Sequence, residues 1–322
     1  MTNPLRRALI CSALSLCAAV AAHADTFPSK PMRIVVIVAP GGSADALGRI
    51  VAEGLTTRLG QPVVVENKPG AGGNLATQAV ARSPADGYTL LLSANNHTIN
   101  PSLFANAGYG IDDLVPVAQL MEGPSVIAVP ASSRFNTLPE LLEEARQKPG
   151  TIAYGSAGIG VPSHIAGEML QRAADVKLVH IAYRGSGPSI TDAIGGQVPV
   201  VVASLVAAMP QIESGKLKAL AVTSQKRWPT SPNIPAASEF GIPSYEHMTW
   251  LGLFAPKGTP PAVVARLNAE VRAVLADEAV RARVAKMGGA ISQKSVPAFE
   301  DMIRKDHALS SRLVTDAKLK AE

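Results

Sequence analysis

The chain has 322 residues, 47% of them hydrophobic and only 4% aromatic, with 30 Lys and Arg against 25 Asp and Glu for a formal net charge of +5. The charges lie singly along the sequence, which excludes the concentrated basic stripe with stacking rings that nucleic-acid binding needs. Both cysteines, Cys11 and Cys17, fall near the start, so the chain beyond them can form no disulfide, thiolate nucleophile or cysteine metal site.

Arg6 and Arg7, the apolar run Ala8 to Val20, and Ala22-His23-Ala24 have the layout of a secretory leader. Residues 1–24 are therefore expected to be a signal peptide, cleaved after Ala24, with the periplasm as the address. Leu16 is too large before Cys17 for a lipoprotein box. No later run is apolar for the roughly 18 residues that a membrane helix requires.

From there strand-like and helix-like patterns alternate, which predicts βαβ units and an α/β fold with mainly parallel sheets. A strand at Ile34–Val38 runs through Ala39-Pro40-Gly41-Gly42-Ser43 into a helix near Ala44, whose Ala44, Leu47, Val51 and Leu55 share one face. Val63-Val64-Val65 and Tyr88 to Leu92 read as central strands buried on both faces. The polar run Ser93-Ala94-Asn95-Asn96-His97 follows, at a carboxyl end where α/β sheets hold ligands; a plain surface loop is the alternative.

Leu138, Leu141, Leu142 and Ala145 mark a helix, with Asn136-Thr137 as its cap and Pro149-Gly150 as its stop. A second Gly-rich turn, Gly155-Ser156-Ala157-Gly158-Ile159-Gly160, links a strand at Ile152–Tyr154 to a helix near Pro162. The theme returns where the strand Leu178 to Ala182 meets Tyr183-Arg184-Gly185-Ser186-Gly187, before a helix with Ile190, Ala193 and Ile194. Arg184 suits a bidentate carboxylate contact, and equally a solvated charge or a tie between loops. Val198 to Val202 is another strand, with Ser204 just past its end. The Pro-rich stretch Trp228 to Pro243 reads as a surface connection before a last strand, Thr249 to Ala255, and further helices, one with Val263, Leu267, Val271 and Leu275 on a face. That last third holds too little sheet for its own core. It is placed back on the first lobe, giving residues 25–122 plus 248–322 as lobe 1 and residues 123–247 as lobe 2. The chain would cross near Met121-Glu122-Gly123 and near Ser244 to Met248.

Each Gly-rich turn bares backbone N–H groups at the positive end of a helix, which suits a small anion. Neither turn has dinucleotide or P-loop spacing, and no serine sits in a nucleophile elbow. His164 and Glu168 can share a helix face, but no third ligand is near, so no metal and no cofactor are expected. The expectation is a binder, not an enzyme. Its contact set is Pro40, Gly41, Gly42, Ser43 and Ala44 on one side, and Ser156, Gly158, Gly160, Val161, Ser163 and His164 on the other. Ser93, Asn95, Asn96, His97, Arg184 and Ser204 complete it. Asp45, beside an anion, is expected to brace its turn. Two rivals stay open: an exported α/β enzyme acting on a small organic acid, and a ligand-sensing adaptor for a sensor kinase.

Longer motifs carry a resemblance. They are Pro40-Gly41-Gly42-Ser43-Ala44-Asp45, Gly60 through Asn74 with its Glu66-Asn67-Lys68-Pro69-Gly70-Ala71-Gly72-Gly73-Asn74 core, Asp86-Gly87-Tyr88-Thr89-Leu90, Asn100-Pro101-Ser102-Leu103, Tyr183-Arg184-Gly185, Gly195-Gly196-Gln197-Val198 and Lys216 to Thr223. In these the chain resembles the extracytoplasmic solute receptors of tripartite tricarboxylate transporters, the Bug-type receptors. The resemblance implies a two-lobed periplasmic binding fold of type II with a two-crossing hinge. It implies capture of a small carboxylate and delivery to membrane permease subunits. With no coiled-coil heptads, a monomer is expected. Val38 stands where the family often has Phe, Val161-Pro162 where Thr-Ser is common, and Ala203 where Asp is usual. Those departures imply a ligand with an apolar, even aromatic, body.

Overall fold

The computed structural model describes residues 27–41, 43–243, 245–316 and 319. The expected leader, including Cys11, Cys17 and the cleavage site at Ala24, lies outside them, as does Gly42. The fold is α/β and two-lobed. The first sheet begins with β1 (Met32–Val36), β2 (Val63–Asn67) and β3 (Thr89–Ala94), all parallel, with β1 in the middle. It continues through β9 (Met248–Pro256) to the first part of β4 (Leu114–Pro130). The second sheet runs β6 (Val179–Ala182), β5 (Ala153–Ser156), β7 (Val200–Ser204), the last part of β4, and β8 (Leu217–Val222). A two-residue strand, β10 (Ala290–Ile291), pairs with β4 at Met121 and Glu122.

Each sheet thus has the same order: second, first, third, a returning antiparallel strand, then fourth. The antiparallel strand comes in each case from the other lobe. β4 leaves the first sheet at Pro124, its last rung against β9, and from Ser125 pairs with β7 and β8. β9 returns beside it, starting at Met248.

Periodicity accounts for the helices. α1 (Ser43–Leu59) buries Ala44, Leu47, Val51 and Leu55 against the first sheet, and α8 (Pro261–Ala276) buries Leu267, Val271 and Leu275 in the same core. α2 (Asn74–Ala81) and α3 (Asn96–Leu103) follow β2 and β3, and α4 (Leu138–Gln147) opens on its Thr137 cap. α5 (Pro162–Ala174), α6 (Ser186–Ile194) and α7 (Leu205–Glu213) follow β5, β6 and β7. α9 (Glu278–Lys286) and α10 (Val296–Asp316) complete the chain. None of the described helices is long and apolar enough to cross a membrane.

Two sequence expectations change. β2 is an edge strand, so Val64 is 57% exposed and not buried on both faces. β4 is one 17-residue strand through both sheets; Pro116 and Pro124 hide it in the sequence. A register shift follows Pro116 and Pro124 sits at the change of sheet, the irregular places where a strand tolerates proline.

Candidate functional site

Topology brings the strand ends together. The carboxyl end of β3 pairs at Ala94 with Leu251, near the start of β9, and the carboxyl end of β7 pairs at Ser204 with Ser125, where β4 enters the second sheet. β1 runs parallel to β3, and β5 and β6 parallel to β7. All five strands therefore point their carboxyl ends at the strand crossing, and α1, α3, α5, α6 and α7 start there. Five helix N-termini thus gather at the strand crossing, an arrangement favourable to negative charge.

The first turn is held from beneath. Gly41 N donates to Asp45 Oδ2 at 3.0 Å, Asn67 Nδ2 donates to Asp45 Oδ1 at 2.9 Å and to Val38 O at 3.0 Å, and Arg49 Nε donates to Asp45 Oδ2 at 3.1 Å. Burial pushes the Asp45 carboxyl up, but Arg49, the Gly41 amide and Asn67 together hold it below the usual carboxylate range. Pro40, Gly41 and Ser43 are exposed, while Ala44 is buried in the core. The amides of Ser43 and Ala44, in the first turn of α1, have no acceptor among the described residues.

The long glycine motif turns out to be a brace. Gly70, Ala71, Gly72 and Gly73 all have positive φ, which is why three of the four are glycine. The resulting turn aims Gly72 O at Asn96 Nδ2 (3.1 Å) and Asn100 Nδ2 (3.0 Å), and Asn74 Oδ1 accepts from Asn100 Nδ2 at 2.6 Å. Gly73 packs on Ile37, and Leu103 of α3 packs against Gly160. One chain of contacts so links both Gly-rich turns through α3.

The polar run after β3 is no loop. Ser93 lies in the strand and Asn96 opens α3. Asn95 is buried: its Nδ2 donates to Met248 O at 3.2 Å and Asp306 Oδ2 at 3.3 Å, and its Oδ1 accepts from Trp250 N at 3.1 Å. His97 is 1% exposed, stacked on Tyr109 and tilted against Phe254, beside a cavity of about 30 Å³ lined also by Ile111, Asp112 and Arg304. Burial, with His307 nearby, lowers it to about 4. Ser93, Asn95 and His97 thus sit within the first lobe's packing, because strand and helix continue through positions expected to be open.

In the second turn the expected donors face inward. Ser156 Oγ meets Gly158 O (3.0 Å), Gly158 N (3.2 Å) and His180 Nε2 (2.6 Å). Ser163 Oγ accepts from Ala157 N at 3.1 Å, and His164 Nδ1 accepts from Gly160 N at 3.0 Å. The turn's own polar groups consume one another, since they are buried and need partners. The amides of Ile159, Val161 and Ser163 have no acceptor among the described residues. Arg184 is exposed and in no ion pair there, and Ser204 caps α7 through Ala207 N at 3.3 Å. Asn67, Gly72 and His180 were absent from the sequence-based set. The length of the motif around them signalled Asn67 and Gly72; nothing in the sequence signalled His180.

Residues 47–319 match the profile described as tripartite tricarboxylate transporter family receptor. Among solved structures, the chain is similar to the periplasmic binding protein BugD, with 35% identity, 92% of this chain and 100% of that one covered, and a TM-score of 0.81. It is also similar to Rpa4515 of R. palustris with adipate, at 30% identity, 91% and 99% coverage and a TM-score of 0.84. MatC of Rhodopseudomonas palustris with bound malate shares 30% identity, with 89% and 100% coverage and a TM-score of 0.80.

Proposed function

The chain belongs to the tripartite tricarboxylate transporter receptor family, and from that membership we propose that it is a periplasmic receptor that captures a small carboxylate and hands it unaltered to membrane permease subunits. It acts as a monomer. The observation that carries this reading is the set of amides with no acceptor among the described residues, Ser43 and Ala44 in one lobe and Ile159, Val161 and Ser163 in the other. They stand at helix N-termini around one strand crossing, where a carboxylate is favoured. Asp45 does not repel the ligand, because Arg49 lies 2.9 Å from it and neutralises its charge. The lobes divide where β4 changes sheet, between Pro124 and Ser125, and where β9 begins at Met248, and closure is a hinge motion at these two strands.

The relatives with adipate and malate support a small organic acid. Val161 and Pro162 are half-buried at the start of α5 and supply no hydroxyl, which favours an apolar body beside the carboxylate. Ala203 does not enter this argument: it is buried in the core beneath α6 and α7, not in the cleft. Titration calorimetry with adipate, benzoate, malate, citrate and aspartate tests the reading. Adipate or benzoate is expected to bind most tightly, and a preference for aspartate overturns the apolar-body claim. Recovery of chemically unchanged ligand, and capture of permease subunits from solubilised membranes, are the further expected results. Turnover, or capture of a sensor kinase instead, would overturn the transport role.

The Ser156–His180 contact raises the hydrolase alternative. Ser156 is 0% exposed and its hydroxyl is also bound to both backbone groups of Gly158, so no substrate carbonyl reaches it.

A further inference from the structure

Two histidines from different elements meet beneath the β5–α5 turn. His164 lies in the first turn of α5 and His180 in β6; their rings stack with centroids 3.9 Å apart and an interplanar angle of 15°. Each ring pins one end of the three-residue tip. His164 Nδ1 accepts the Gly160 amide at 3.0 Å, so that nitrogen carries no proton. His180 Nε2 reaches Ser156 Oγ at 2.6 Å, and Ser156 Oγ holds both the N–H and the C=O of Gly158. Gly158 and Gly160 have φ of 144° and 74°, a backbone that does not hold itself by local preference.

We propose that the stacked pair His164–His180 positions the anion-binding turn, fixing Gly158 and Gly160 so that the amides of Ile159, Val161 and Ser163 are presented to the ligand carboxylate. This rests on the receptor reading above. Neither histidine needs to touch the ligand. Other polar groups around the stack do not disturb its neutrality. Glu168 Oε1 lies 3.7 Å from His164 Nε2 but accepts from Tyr154 Oη at 2.9 Å and Gln171 Nε2 at 2.8 Å. The Tyr154 ring lies 5.0 Å from His180. Burial lowers His164 to about 3, with His180 adding to the effect, and burial lowers His180 to about 4. Both rings are thus uncharged around neutral pH, as the acceptor role of His164 requires.

The test compares apolar and hydrogen-bonding replacements, with Kd for adipate and benzoate from calorimetry and Tm alongside. His164→Leu and His180→Leu are expected to weaken binding about tenfold or more, the scale of one well-placed hydrogen bond. His164→Asn, which returns an acceptor near the Nδ1 position, and His180→Gln, which returns a donor to Ser156, are expected to restore affinity to within about threefold. A purely structural role would lower Tm without this split in Kd. If wild type binds neither acid nor malate, the receptor reading fails first. If wild type binds and the folded leucine variants bind equally well, the positioning role alone is overturned. Should the leucine variants not fold, Ser156→Ala removes the Gly158 pin without adding bulk; unchanged affinity there overturns the proposal too.

Discussion

In the proposed anion site Asp45 carries the wrong charge and braces the turn instead. Its two oxygens take donors from Gly41, Asn67 and Arg49, so the carboxylate is satisfied within the turn. Asp45→Ala leaves the exposed Gly41 amide to water and Asn67 Nδ2 with Val38 O alone. Losing these part-buried hydrogen bonds costs about 0.5–1.5 kcal/mol. Chemical denaturation should show that loss, and calorimetry an affinity about tenfold lower; wild-type affinity in this variant would mean the turn holds itself. Part of this was legible in the sequence. A carboxylate in the first turn of a helix reads as a cap or brace. Asn67 was not legible as its partner, because the two are joined only by the β1–β2 register that sets Val36 opposite Asn67. His97 failed for a different reason. Its polar neighbours suggested an open loop, whereas its ring is enclosed by Tyr109 and Phe254, residues distant in sequence.

At the scale of elements, the crossing is a two-strand ribbon clamped by one threonine. Thr223, just past β8, accepts from Ser125 N at its hydroxyl (2.9 Å), donates its own N–H to Ser125 O (2.9 Å), and bonds His247 through both its hydroxyl and its carbonyl. It thereby touches both strands where they change sheet. Thr223→Val keeps the shape and removes the hydroxyl, stranding the Ser125 N–H and the His247 carbonyl. The expected loss is about 1–3 kcal/mol by urea denaturation, with recovery in Thr223→Ser; equal stability of the valine variant would remove Thr223 from the hinge. The strands and helices flanking this clamp follow from apolar periodicity, which is local. The clamp itself does not, since Ser125, Thr223 and His247 are brought together only by strand order. The same is true of β4, whose prolines mask a strand that tertiary pairing sustains.

Across the whole molecule, the lobes are joined by more than the two strands. Trp228 Nε1 donates to Gly288 O at 3.0 Å, and the far end of α10 places Leu313 and Val314 with Ile99, Leu103 and Ile165, while Asp316 meets Arg172 at 2.9 Å. The buried histidines are spread over the same span: His97 in the first lobe, His164 and His180 under the second turn, and His247 at the crossing. Burial lowers His247 to about 4, and Nδ1 of both His97 and His247 has no partner among the described residues. All four have folded values below the unfolded value near 6.5. The sign follows. Above pH 6.5 both states hold these rings neutral and stability is unaffected. Below it the unfolded chain takes up protons that the fold refuses, so stability is lost as pH falls from about 6.5 toward 4. Each enclosed ring, His97, His164 and His247, contributes about 1.4 kcal/mol per pH unit in that window, and His180, more open to solvent, contributes less. Against a total of about 5–15 kcal/mol for a folded domain, this is a substantial fraction. Tm is therefore expected to be level from pH 8 to 7 and to fall steeply between pH 6 and 4.5. His247→Leu is expected to reduce that slope by about one proton. A Tm that stays level down to pH 5 would mean that these rings accept protons inside the fold, and with them the neutral stack beneath the binding turn would be lost.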